Sequence, residues 1–266
     1  MIRGISSALL LLLIMASPAP ARDQAQDQAR DRAVDLELAF VVDASGSIDD
    51  DEMRLQRQGY ADALAHPKVL KAIGSGFLRS IAVAYIEFAA DGCATLSVDW
   101  TRISNRSEAR SFGAKILARE RIFCPGGNAI GEAVAFATAA MENNKFEGTR
   151  RVIDVSGDGP NTIGPEVEDA RDAAVALGIT VNGLVINRPM MPDLDEYYRR
   201  SVIGGPGSFV IKADDRRNFA DAILKKIILE IARHGVDNER DFAAPDHDAT
   251  RSGEPGNGIR ILHAQR

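Results

Sequence analysis

An α/β fold is predicted by this sequence: doubly wound, with a mostly parallel central sheet, one antiparallel edge strand and helices on both faces. Three observations predict it. Leu36-Glu37-Leu38-Ala39-Phe40-Val41-Val42 is a nearly continuous apolar, β-rich run, the signature of a strand buried on both faces at the centre of a parallel sheet. Further strand-like runs alternate with stretches of helical period, an order that calls for parallel strands joined by covering helices. The turn at Asp91-Gly92 joins two strand-like runs so closely that only an antiparallel hairpin fits, with the second strand on the edge.

After the opening strand, Asp49, Asp50, Asp51 and Glu52 place acids where a helix N-terminus is stabilised by them, ahead of Met53, Leu55, Tyr60 and Leu64. That helix is expected to stop before Pro67. Ser80 to Phe88 and Ala94 to Trp100 form the hairpin strands. A helix across Ser107 to Arg119 leads to a loop through Pro125, Gly126 and Gly127, and an apolar, Ala-rich helix runs from Ile130 to Met141. Arg151 to Ser156 is the next strand, ending in Gly157-Asp158-Gly159-Pro160. An amphipathic helix from Pro165 to Leu177 is closed by Gly178, whose freedom to adopt positive φ suits a helix end. Ile179 to Ile186 is a strand, Leu194 to Ser201 a short helix and Ser208 to Ile211 a last strand. Asp214 to His234 is a closing helix with Phe219, Ile223, Ile227, Ile228 and Ile231 on one face. Residues 35–234 hold every apolar periodic segment and read as one domain, whereas 235–266, rich in Asp, Arg, Gly and Pro, read as a disordered tail.

The 266 residues, 45% hydrophobic and 26% charged, suffice for a sizeable core. A formal net charge of −6 argues against nucleic acid and against anionic membrane surfaces as partners. Arg3, the apolar run Ala8 to Met15 and the small-x-small site Ala19-Pro20-Ala21 have the form of a signal peptide, residues 1–21, removed on export. The run is short of the roughly 20 apolar residues that a spanning helix needs, although an uncleaved anchor is the alternative. Residues 22–34 are a polar leader without apolar period. The expected location is periplasmic or secreted, with no stable membrane insertion after cleavage. Two cysteines in an oxidising compartment, Cys93 and Cys124, favour a disulfide over a metal or catalytic role. Two separately buried thiols are the alternative.

Asp43, Ser45 and Ser47 follow the opening strand and deliver hard oxygen donors to the carboxyl edge of the sheet, where ligands of open α/β sheets bind. Asp158 follows a second buried strand between two glycines. If the two strands are neighbours, Asp158 points at Asp43, and two carboxylates at one edge repel until a proton or a divalent cation relieves them. Taken singly, these residues are ordinary cap and turn formers; together, Asp-x-Ser-x-Ser and Ser-Gly-Asp-Gly are hard to explain so.

Asp43-Ala44-Ser45-Gly46-Ser47 resembles the Asp-x-Ser-x-Ser of the metal-ion-dependent adhesion site (MIDAS) of von Willebrand factor type A (VWA) domains, and Asp158 matches that family's Asp-Gly after the central strand. The resemblance spans about residues 36 to 232, includes the early hairpin, and points to an exported bacterial branch of undefined role. It implies a Rossmann-like VWA fold. It also implies a bound divalent cation, most simply Mg²⁺ with Mn²⁺ or Ca²⁺ as alternatives, whose open position receives an acidic side chain from a protein partner. Asn128 departs from the pattern, standing after Gly126-Gly127 where the family has Thr. Its carboxamide oxygen either ligates the cation or caps the helix that follows.

The alternative is an enzyme. A strand-end Asp also serves as nucleophile in Mg²⁺-dependent phosphotransferases and phosphohydrolases, and Asp43 is so placed. The haloacid-dehalogenase-like pattern wants a second Asp two residues on, where this chain has Ser45. No Gly-x-Ser-x-Gly elbow and no Walker Gly-x-x-x-x-Gly-Lys occurs, and none of the four histidines, His66, His234, His247 and His263, is placed as a base. The reading is therefore of a binding module.

Export with cleavage after Ala21 predicts a mature N-terminus at Arg22. Mass spectrometry of protein from its native compartment checks this, and retention of Met1 or Leu11 is the contrary result.

Overall fold

A computed structural model describes residues 31–121, 124, 126–213 and 218–232, with the backbone of 259–263. The apolar run at 8–15, the cleavage point and most of the polar leader lie outside the described residues, as do the ends of the expected last helix and most of the tail. In chain order the elements are β1 (Ala33–Val34), β2 (Leu36–Asp43), α1 (Asp50–Leu64), α2 (Pro67–Ser75), β3 (Ile81–Phe88), β4 (Thr95–Ile103), α3 (Arg106–Leu117), α4 (Ile130–Glu142) and β5 (Glu147–Gly148). There follow β6 (Arg151–Gly157), α5 (Val167–Ala176), β7 (Ile179–Ile186), α6 (Leu194–Tyr197, continued by a π-helical turn at Tyr198–Val202), β8 (Phe209–Ala213), α7 (Phe219–Ala232) and β9 (Ile259–His263).

Seven strands form the main sheet in the order β4-β3-β2-β6-β7-β8-β9. Strands β3, β2, β6, β7 and β8 run parallel, and β4 returns antiparallel on the edge after its hairpin, as the sequence predicts. The opposite edge carries a second antiparallel strand, β9 on β8, drawn from the tail for which no regular structure was expected. At the other end of the domain, β1 pairs with β5 in a separate short ladder.

All eight residues of β2 are buried, and its alternation sorts them between two cores. Leu36, Leu38, Phe40 and Val42 face one layer with Tyr60 of α1, Phe112 of α3 and Ile223 of α7. Ala39 and Val41 face another with Ile130, Ala133, Val134 and Ala137 of α4 and Ala170 and Ala174 of α5. Glu37 is the one acid buried mid-strand in β2, and it accepts hydrogen bonds from Gly148 N–H and Asn144 Nδ2, both at 2.6 Å. Its desolvation is thereby offset.

Helix α1 opens with a capping box between Asp49 and Glu52 and ends at Leu64, before Pro67 as expected. Pro67 then begins α2, a helix the sequence reading lacks. A proline at the first helical position loses no intrahelical bond, and His66 Nδ1 caps the turn by accepting from Lys68 N–H at 3.2 Å.

Beneath the sheet lies a fully buried charge cluster. Lys226 Nζ of α7 reaches Asp154 Oδ1 of β6 at 2.6 Å and Glu230 Oε1 at 2.5 Å. Asn182 Nδ2 of β7 donates to the same Glu230 oxygen at 3.1 Å, and its own carbonyl accepts Phe209 N–H at 3.1 Å. Two carboxylates share one ammonium, and burial, followed by the charge of Glu230, pushes Asp154 up to about 7 although Lys226 pulls it down. The folded state therefore keeps a proton that the unfolded chain has already released, so this group's contribution to stability falls as pH rises from about 4 to 7.

Cys93, just past β3, is joined to Cys124 by a disulfide with Cα atoms 6.4 Å apart, across a sequence separation of 31. Replacing both cysteines by Ser is expected to cost about 3 to 4 kcal/mol in the chain-entropy account, read from urea denaturation of parent and variant. Lys226→Met is expected to cost about 3 to 5 kcal/mol at pH 8 by leaving buried carboxylates unpaired. The deficit shrinks at pH 5, where Asp154 takes up a proton. Equal losses at both pH values would contradict the assignment.

Candidate metal site

The pairing of β2 with β6 sets Val42 opposite Ser156, so Asp43 and Asp158 leave the sheet at the same carboxyl edge. Asp43 Oδ1 accepts the Ser45 backbone N–H at 2.8 Å, a local turn that brings the next hydroxyls round. Ser45 Oγ and Ser47 Oγ lie 3.0 Å apart, and Ser47 Oγ donates to Asp158 Oδ1 at 3.0 Å. Four of the five sequence-predicted donors are thus linked in one chain of contacts.

Asn128 reaches the same edge from the loop before α4. Ala129 N–H donates to Ala89 O beyond β3 at 2.9 Å, and Asn128 and Thr162 exchange two bonds: Asn128 N–H to Thr162 Oγ1 at 2.7 Å and Thr162 N–H to Asn128 O at 2.8 Å. A Cβ on Gly127 would stand 2.6 Å from that Thr162 oxygen, so the approach requires glycine. The side chain of Asn128 does not cap α4. The residue at the cap position is Ala129, without a side-chain bond, and Asn161 Oδ1 accepts the Gly131 N–H instead, at 3.1 Å.

Three polar atoms here are buried without a hydrogen-bond partner among the described residues: Asp43 Oδ2, Asn128 Oδ1 and the Tyr198 hydroxyl. Tyr198 forms the floor, since a Cβ on Gly157 would stand 2.7 Å from its hydroxyl and 3.1 Å from Asp43 Oδ2. Burial, then the charge of Asp158, pushes the Asp43 carboxyl up to about 6, against the pull of its bonds from Ser45. Burial also raises Asp158, opposed mainly by Arg188. Arg188, just past β7, pairs with Asp158 Oδ2 and donates from Nη2 to Ser47 O at 2.8 Å.

Hard oxygen donors, two mutually opposed carboxylates and buried acceptors lacking a donor are the conditions under which a small divalent cation fits. Among the described residues no group of three or more His, Cys, Asp or Glu could hold a metal, so any such site here is a mixed hydroxyl, carboxamide and carboxylate one. Sequence reasoning missed Arg188, Thr162, Asn161 and Tyr198. The available signal was topological: Arg188 follows a parallel strand next to β6, and such positions lie at the same edge as Asp158. The loops beside the site also expose Ile163 and Met190, the latter 89% accessible.

No curated protein matches the sequence. Among solved structures, proximal thread matrix protein 1 from the mussel byssus, with a zinc-occupied MIDAS motif, superposes with a TM-score of 0.54 at 18% identity, over 75% of this chain and 46% of that one. The pilus adhesin SpaC from Lactobacillus rhamnosus GG gives 0.56 at 14% identity, over 74% of this chain and 31% of that one. The chain thus spans less than half the length of either, and at these identities the likeness is one of fold. The sequence profile described as "Protein of unknown function (DUF1194)" matches residues 33–235, so the chain belongs to that family, and its fold is that of a von Willebrand factor type A domain.

Proposed function

We propose that the chain is an exported adhesion or assembly module in which Asp43, Ser45, Ser47, Asn128 and Asp158 hold one divalent cation that captures a carboxylate from a protein partner. The observation that carries this reading is the pair of buried, partnerless acceptors, Asp43 Oδ2 and Asn128 Oδ1, at the edge where two serine hydroxyls and Asp158 already meet. Unpaired buried acceptors cost free energy, and a cation satisfies both at once. The zinc-occupied MIDAS of the byssus protein supports a divalent ion. The all-oxygen donor set favours Mg²⁺, with Mn²⁺ or Ca²⁺ as substitutes.

The hydroxyls of Ser45 and Ser47 would bind directly and at least one Asp through water, since Mg²⁺ keeps several waters. Mostly neutral direct donors leave the ion electrophilic, which is why it would recruit an outside carboxylate. The fold's likeness to a pilus adhesin supports a protein partner, and the disulfide supports an oxidising compartment, periplasmic or extracellular. Among the described residues no helix is long and apolar enough to cross a membrane. Phosphoryl transfer is disfavoured because Asp43 has no exposed surface and Ser45 stands where a general acid is needed.

Calorimetric titration with Mg²⁺, Mn²⁺ and Ca²⁺ tests the reading. Asp43→Ala is expected to abolish binding with the fold retained, and Asn128→Thr to preserve or tighten it. Partner capture should disappear with chelator. Parent-like Mg²⁺ binding by Asp43→Ala, or capture indifferent to chelator, would refute the proposal.

A further inference from the structure

The Arg188 guanidinium is held at the rim of the candidate site by one nitrogen. Nη2 meets both Asp158 Oδ2 and Ser47 O, while Nη1 and Nε make no contact of this kind with the described residues, and the side chain is 30% accessible. The backbone beneath it is fixed by a tight turn, with Met191 N–H donating to Arg188 O at 2.9 Å. A partly accessible guanidinium anchored through one nitrogen, with further N–H groups to offer, is the planar donor set that matches a carboxylate.

Resting on the function proposed above, we infer that Arg188 is the second half of the partner-binding site, taking one oxygen of the partner's carboxylate while the cation takes the other. A stand-in for the cation is the other role open to an arginine here, and the contacts oppose it. Arg188 meets Asp158 Oδ2 and the Ser47 carbonyl, while Asp43 Oδ2 and Asn128 Oδ1 have no donor among the described residues. The charges agree with the clamp. Asp43 and Asp158 against Arg188 and a divalent ion leave one positive charge, and the charge of Glu52 also reaches Asp158, so the site tolerates a single carboxylate better than a phosphate dianion. The ligand class is therefore a monoanionic carboxylate, from an Asp or Glu side chain or a chain terminus.

The test uses the mature protein loaded with Mn²⁺ and acetate as the probe, with Mn²⁺ affinity from calorimetry and acetate binding from water-proton relaxation. Arg188→Ala is expected to keep Mn²⁺ affinity at or above that of the parent and to weaken acetate about tenfold or more, as loss of a charge-assisted bond does. Arg188→Lys keeps the charge without the fork and should recover less than half of that loss, which separates contact from mere field. Acetate binding within about twofold of the parent in Arg188→Ala, or full recovery in Arg188→Lys, would overturn the inference and leave the metal site standing. Loss of Mn²⁺ from Arg188→Ala would overturn it by making Arg188 a support of the metal site. A parent that binds no Mn²⁺ would remove both proposals together.

Discussion

Two carboxylates, Asp43 and Asp158, are brought to one sheet edge by the pairing of β2 with β6, and their repulsion is the constraint that the surrounding loops answer. Burial weighs on Asp43 more than that repulsion does, because its charged form loses its solvent. Three oxygens have each been given a donor: Asp43 Oδ1 the Ser45 N–H, Asp158 Oδ1 the Ser47 hydroxyl, Asp158 Oδ2 Arg188. Asp43 Oδ2 has no hydrogen-bond partner among the described residues. A sequence selected for stability alone would have placed a donor there or removed the acid, and local conflicts of this kind gather where function demands them.

What keeps the arrangement from relaxing is the rigidity of its base. Strand β2 is covered on both faces, by aromatic packing in which Tyr60 lies 4.7 Å from Phe40 and 5.5 Å from Tyr85, centroid to centroid, and on the other side by the Ala-rich α4. Small side chains let α4 approach the sheet closely, so the loop preceding it is short of slack. Bonds from Ala129 to Ala89 and between Asn128 and Thr162 tie that loop to β3 and to the segment after Asp158, and the disulfide anchors its start. Donors carried on such elements hold their geometry better than donors on free loops.

The central strands, the edge hairpin and the Asp-x-Ser-x-Ser turn were legible because each is a local pattern: a continuous apolar run, a short link through Asp91-Gly92, oxygen donors at alternate positions. Long-range pairing was not. Helix α2 was missed because Pro67 reads as a stop, although the same residue opens a helix when His66 supplies the cap. Strand β9 was missed because Ile259 to His263 is a short run in a polar tail, and its place on the sheet rests on backbone pairing with β8, which no side-chain period announces. Lys226 and Glu230, four apart on a helix, look like a surface ion pair. The clue to their burial was Asp154, an acid in the middle of an otherwise apolar strand, which needs a buried partner. Arg188 was hidden for a related reason, since an Arg in a turn looks solvated until the strand order shows which edge it occupies.

Asn128 is where resemblance and physical reading separate most. A threonine hydroxyl both donates and accepts, whereas the carboxamide oxygen only accepts and sits one bond further from the backbone. To put that oxygen where a hydroxyl would lie, the main chain has to stand further back, and the double bond exchange with Thr162 and the bare glycine at 127 hold it against the neighbouring loop. The capping duty that would otherwise claim the side chain is met by Asn161. With the cap supplied elsewhere and the backbone anchored twice, the buried Asn128 oxygen has no hydrogen-bond partner among the described residues, which leaves it open for the coordination proposed above.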